Sequence, residues 1–189
     1  MTVPARPQRL FLAVVPSPEA RDDLARALAP LRDAPGGPRW TDPGRWHLTL
    51  LFLGAVPADR TPGLVAATGP LVAATPPFTL RLSGAGRFGS RRRPQVCWVG
   101  VDGDTAVLAG LAGRLATAAR RLRLPVEDRP YRAHLTLGRW RPGAPADGDL
   151  PACLAGYRGP DWVVTAVDLV ESRLGPAPTH ERLVSWPVG

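Results

Sequence analysis

The chain has no lysine: all 24 of its basic residues are arginine. That excludes a lysyl–nucleotide adduct, and no phosphate-binding P-loop motif is present. Only three histidines, two cysteines and one methionine occur. Two cysteines allow at most one disulfide, and Cys97 and Cys153 have apolar or small neighbours that favour reduced thiols. The longest apolar stretches, such as Leu10–Val15, are far too short to cross a bilayer. No long apolar run and small-residue cleavage site open the chain, so it reads as soluble and cytoplasmic. What is present suits one domain with its own core: 189 residues, 44% of them hydrophobic. The net charge is +8. Coding DNA rich in G and C accounts for arginine in place of lysine. It does not account for arginine exceeding acid, and that excess points to a polyanionic partner such as nucleic acid.

His-Leu-Thr-Leu occurs twice, at His47–Leu50 and His134–Leu137, 87 residues apart. Shifting the chain by that offset lays Leu10–Val15 on Cys97–Asp102 and Phe78–Leu82 on Thr165–Leu169, strand pattern on strand pattern. Between them lie two helices. The first starts at Ser17-Pro18 with the stripe Leu24, Leu28 and Leu31. The second is capped by Asp104, with Leu108, Leu111, Leu115 and Leu122. Arg45 and Arg132 each stand two residues before a histidine. Each half therefore reads strand, helix, strand, strand, over roughly 9–83 and 96–170. Ala34–Pro38, Pro57–Pro62 and Arg141–Pro151 read as surface linkers. The expected architecture is α+β: one domain, 1–189, of two pseudo-symmetric lobes of antiparallel sheet, helices outside and a cleft between.

On a strand, alternate side chains face opposite ways. In each motif the leucines share the core face, and the histidine and threonine share the other. Two facing lobes would gather two imidazoles and two hydroxyls around one space. That set suits a phosphodiester. One imidazole can accept a proton from water while the other protonates a leaving oxygen, and the hydroxyls can donate to the non-bridging oxygens. A single such strand is ordinarily only a strand; the doubling favours chemistry. A zinc site needs three or four ligands at fitting spacing, and neither motif strand carries an acid, so a metal is not expected. His180, among polar residues near the end, reads as an exposed loop histidine.

These paired motifs resemble those of the two-histidine (2H) phosphoesterases. Trp46–Gly54, Gly86–Phe88 with Arg93–Gly100, and Arg129–Arg139 are similar to segments of the RNA 2′,3′-cyclic phosphodiesterases historically called 2′-5′ RNA ligases (LigT-like). The resemblance implies a bilobal fold, no cofactor, and opening of a 2′,3′-cyclic phosphate to a 2′-phosphomonoester. Carried over, His47 is the proton donor, His134 the acceptor, and Thr49 and Thr136 hold the phosphate. Ala133 stands where the family often has proline. Residues expected to touch substrate are Arg139, which matches Phe52 under the offset, then Phe52 itself, Arg93 and Tyr131. The Arg91–Arg93 run beside Phe88 either is solvated or grips an RNA strand. Trp46 and Trp140 fit core packing better than base stacking. The expected partner is RNA with a cyclic phosphate end or a small cyclic nucleotide, bound by a monomer. The competing functions are a non-catalytic RNA-binding module and a reversible 2′-5′ ligase.

Overall fold

The computed structural model describes residues 6–143, 150–175 and 178–189. Strand β1 (Gln8–Val14) is buried on both faces: Leu10, Leu12 and Val14 enter the main core, while Phe11 and Ala13 join Val170 in a smaller cluster. Ser17 then accepts from the Ala20 amide at 3.2 Å and Pro18 opens helix α1 (Pro18–Leu28). The short strand β2 (Arg39–Trp40) leads to β3 (Leu48–Val56). Next come helix α2 (Thr61–Ala73) and the long hairpin of β4 (Phe78–Gly89) and β5 (Pro94–Gly103). Helix α3 (Thr105–Arg121) precedes β6 (Leu135–Arg139). The chain closes with α4 (Leu150–Cys153), β7 (Arg158–Val164), β8 (Ala166–Arg173) and β9 (Thr179–Pro187).

All strands among the described residues form one curled antiparallel sheet in the order β7-β4-β5-β6-β3-β1-β8-β9, with β2 added beside β6. From the centre outwards the halves repeat one plan: β3, β1, β8, β9 on one side and β6, β5, β4, β7 on the other. The strand that follows in each half of the chain crosses over, β4 to pair with β5 and β8 to pair with β1. The helices cross too, since α1 packs on β7 and β4, and α3 packs on β3 and α2. The main core accordingly draws on both halves of the chain in one cluster that includes Leu12, Leu24, Leu48, Leu111 and Leu135. Each such leucine contributes about 1.5–3 kcal/mol of burial free energy.

Two sequence readings change. Pro57–Pro62 is mostly not a linker: a 3-10 turn and the first turn of α2 occupy Ala58–Pro62. Helix α2 hid behind Pro62, Gly63, Gly69 and Pro70, all residues that ordinarily break helices. Yet Leu64, Thr68 and Val72 form its buried line, and Gly69 lets the Trp186 indole of β9 pack against it. Asp104 stands at the start of α3, but its carboxylate accepts from the Thr79 amide at 2.8 Å instead of capping the helix. Part of the Arg141–Pro151 stretch, residues 144–149, lies outside the described residues. Cys97 is buried and Cys153 exposed. No helix among the described residues is long and apolar enough to cross a membrane.

Candidate active site

The halves of the sheet meet where β3 and β6 pair antiparallel at one position, Leu48 opposite Leu135. Both leucines are fully buried, and the second leucines of the two motifs, Leu50 and Leu137, are buried as well. Counted one residue either way from that pair, the antiparallel register sets His47 beside Thr136 and Thr49 beside His134. Each histidine stands immediately before its strand, and each is held alike. The Nδ1 atoms of His47 and His134 lie 2.7 Å from the carbonyl oxygens of Arg45 and Arg132. A carbonyl can only accept, so each Nδ1 carries the proton and each Nε2 is left with its lone pair.

Their surroundings differ. The His47 ring stacks on Phe11 at 4.7 Å between centroids, and His180 meets both rings edge-on, at 5.3 Å and 5.2 Å. Burial pushes the His47 imidazole down to about 4, the Arg45 carbonyl partly opposes this, and His180 and His134 lower it further. His134 meets Phe88 edge-on at 4.9 Å and Trp98 at 6.5 Å, and the Arg132 guanidinium lies over both aromatic rings. Its pKa is lowered too, first by burial, then, against the Arg132 carbonyl, by the charges of Arg132 and Arg139. In the resting site both imidazoles are therefore neutral near pH 7. Trp98 reaches this position because Gly86 lies opposite it on β4; a Cβ there would overlap the indole.

A cavity of about 600 Å3 opens beside the seam, lined by Thr49, Phe52, Tyr131, His134, Thr136 and Arg139 among others. Strict alternation would send Phe52 and Arg139 to the leucine face. Two bulges prevent it. Against β1, Leu12 and Ala13 pair with Leu51 and Thr49, skipping Leu50. Against β5, Cys97 and Trp98 pair with Gly138 and Thr136, skipping Leu137. The extra residue falls at the last position of each motif and returns the following side chains to the histidine face. Phe52 also carries the Arg9 guanidinium at 4.6 Å. Burial drives the Tyr131 phenol well above its ordinary range, so it remains a hydrogen-bond donor.

Arg93 is not among the residues lining this cavity; it sits on the exposed turn between β4 and β5. Trp46 and Trp140 are core residues, 2% and 7% exposed. His180 is not in a loop: it lies on β9 opposite Ser172 of β8, and that hairpin carries it back over Phe11. Phe11 and Trp98 also escaped the sequence reading as site residues, although the 87-residue offset superposes them. Among the described residues, no three His, Cys, Asp or Glu side chains gather in a way that could hold a metal. A second concavity, about 700 Å3 between α2 and α3, contains no histidine.

A curled antiparallel sheet with a histidine–threonine pair from each half at its seam is the architecture of the two-histidine phosphoesterases. Residues 14–98 match the family described as LigT like Phosphoesterase. An RNA 2′,3′-cyclic phosphodiesterase of Thermus thermophilus is 33% identical over 176 residues, which cover 89% of this chain and 83% of that protein. One from Geobacillus stearothermophilus is 29% identical over 94% of this chain, which spans only 56% of that longer relative. The crystal structure of E. coli LigT complexed with 3′-AMP is 30% identical with a TM-score of 0.81, covering 96% of this chain and 98% of that one. The chain belongs to the LigT-like phosphoesterase family.

Proposed function

We propose that this protein is an RNA 2′,3′-cyclic phosphodiesterase that works by two-histidine acid–base catalysis. The observation that carries the reading is the like anchoring of His47 and His134 across one strand seam, each beside the other motif's threonine. The relatives' activity and the 3′-AMP held by E. coli LigT support it.

In the proposed reaction, water attacks phosphorus opposite the 3′ oxygen and His134 Nε2 takes its proton. The P–O3′ bond breaks, and the protonated His47 Nε2 gives its proton to the departing oxygen. A 2′-phosphomonoester and a free 3′-hydroxyl result. Thr49 and Thr136 donate to the non-bridging oxygens as charge develops there. The neighbours of the two imidazoles support this division of labour. Arg132 and Arg139 disfavour a cationic His134, keeping it a base. The charged-group effects on His47 come from other histidines, so the bound phosphate anion is what draws a proton onto it. Arg139, Phe52 and Tyr131 bind the terminal nucleotide, and Arg93, outside the cavity, touches only longer RNA. Both histidines come from one chain, which suits a monomer, and the buried, unbridged Cys97 suits a reducing compartment such as the cytoplasm.

The test is incubation, with EDTA present, of the protein with a short RNA ending in a 2′,3′-cyclic phosphate, followed by chromatography. A new 2′-phosphate end is the expected product. A 3′-phosphate end would reverse the assigned geometry. Untouched substrate would leave a binding module instead.

A further inference from the structure

One row of residues runs across the sheet away from His134. Phe88 of β4 pairs with Val96 of β5, Val96 with Arg139 of β6, and Arg139 with Arg39 of β2. Residues directly opposite in an antiparallel ladder share a face. Phe88, Val96 and Arg139 all line the cavity, so Arg39 belongs to the same face, one strand further out. The fold fixes this orientation. Trp40, next in the chain, packs against the core and donates its indole N–H to the Arg32 carbonyl at 3.0 Å. The Thr41 amide binds the Leu137 carbonyl at 2.8 Å. With Trp40 turned inwards, Arg39 turns outwards, and it is exposed. Without the bulge at Leu137, Arg139 would face the core and the row would not exist.

Four strands at about 4.8 Å spacing make a row of about 14 Å. A stacked strand advances about 3.4 Å per nucleotide, so the row exceeds one nucleotide. It begins with an aromatic ring beside a catalytic imidazole and ends with two arginines, the latter suited to phosphate oxygens. We propose that this row is the track for the RNA strand on the 5′ side of the cyclic end, with Arg39 binding a backbone phosphate upstream of the terminal nucleotide. The inference rests on the phosphodiesterase reading and adds to it: the row makes the enzyme prefer an oligonucleotide to a cyclic mononucleotide.

The experiment compares kcat/KM on a 2′,3′-cyclic mononucleotide and on a ten-nucleotide RNA ending in a 2′,3′-cyclic phosphate, for the natural chain and R39Q, at several salt concentrations. Binding of a fluorescent RNA bearing a 2′-phosphate end is measured in parallel by anisotropy. The expected result is a preference for the oligonucleotide. R39Q should lower kcat/KM at least threefold more on the oligonucleotide than on the mononucleotide, and the log–log salt slope of RNA binding should shrink by about 0.7, the value of one single-strand phosphate contact. Equal losses on both substrates, or an unchanged salt slope, would overturn the track. If neither substrate turns over but R39Q still weakens RNA binding with the smaller slope, the phosphodiesterase reading fails and the track stands.

Discussion

The two histidine pockets share a backbone plan and differ in what surrounds it. His47 is enclosed by a phenyl ring and a third imidazole; His134 is enclosed by two aromatic rings and two arginines. An antiparallel seam supplies the same anchor twice, so symmetry alone gives two equal bases. The neighbours make them unequal: burial lowers the pKa of both, but other imidazoles add to it at His47 and two arginines add to it at His134. An acid and a base can arise from one repeated tetrapeptide because the lobes differ in contacts that the motif does not encode.

The largest effect that tests this comparison is loss of either imidazole. His47→Ala and His134→Ala should each lower kcat on a cyclic phosphate by about 10²–10⁴-fold, the usual share of a general acid or base. A diester with a p-nitrophenolate leaving group sharpens the contrast, because that group departs without a proton. His47→Ala should then recover most of its loss and His134→Ala none. The opposite pattern would exchange the two roles.

Gly86→Ala should break the His134 side alone. The added methyl displaces the Trp98 indole, and overpacking of this kind costs about 1–3 kcal/mol. Urea denaturation should show that loss, with a fall in kcat/KM of about tenfold. The matching strand contact beside His47 is Phe11, which this change does not touch.

Acid stability tests the deeper burial of His47. Its folded pKa, about 4, lies below the unfolded value near 6.5. Unfolding then takes up a proton as pH falls below 6.5, so the neutral imidazole's contribution is complete above that pH and shrinks towards 4. Between pH 7 and 4.5 the natural chain should lose about 2 kcal/mol more than His47→Gln in urea titrations. The activity profile has a related sign: an anionic substrate raises both histidines, so the alkaline limb of kcat should lie above that of kcat/KM.

The smallest effect concerns His180. His180→Ala opens the His47 ring to water and removes a nearby charge, both of which raise its pKa. NMR titration should show His47 moving towards 6.5, with only a few-fold change in kcat. An unmoved His47 resonance would mean that Phe11 alone sets the pocket.

Much of this was legible in the chain. The face carried by His47, Thr49, His134 and Thr136 follows from alternation, and the leucines between them are buried as that pattern requires. The stripes of α1 and α3 follow from helical periodicity, and Leu24, Leu28, Leu111 and Leu115 are all buried. Helix α2 was not legible, because its glycines and prolines give local signals that long-range packing overrides. Nor was His180, whose place depends on which strand β9 joins, a pairing with no local code.

The sequence by itself determined which groups are candidates for the chemistry, because residue type and a period of two are local properties of the chain. Only the tertiary structure decided how those groups meet. The β3–β6 seam places each histidine beside the other motif's threonine, and the crossing of β4 and β8 builds each half of the sheet from both halves of the chain. The bulges at Leu50 and Leu137 turn Phe52 and Arg139 towards the cavity. A bulge is a mismatch between two paired strands, so it has no existence in either strand alone.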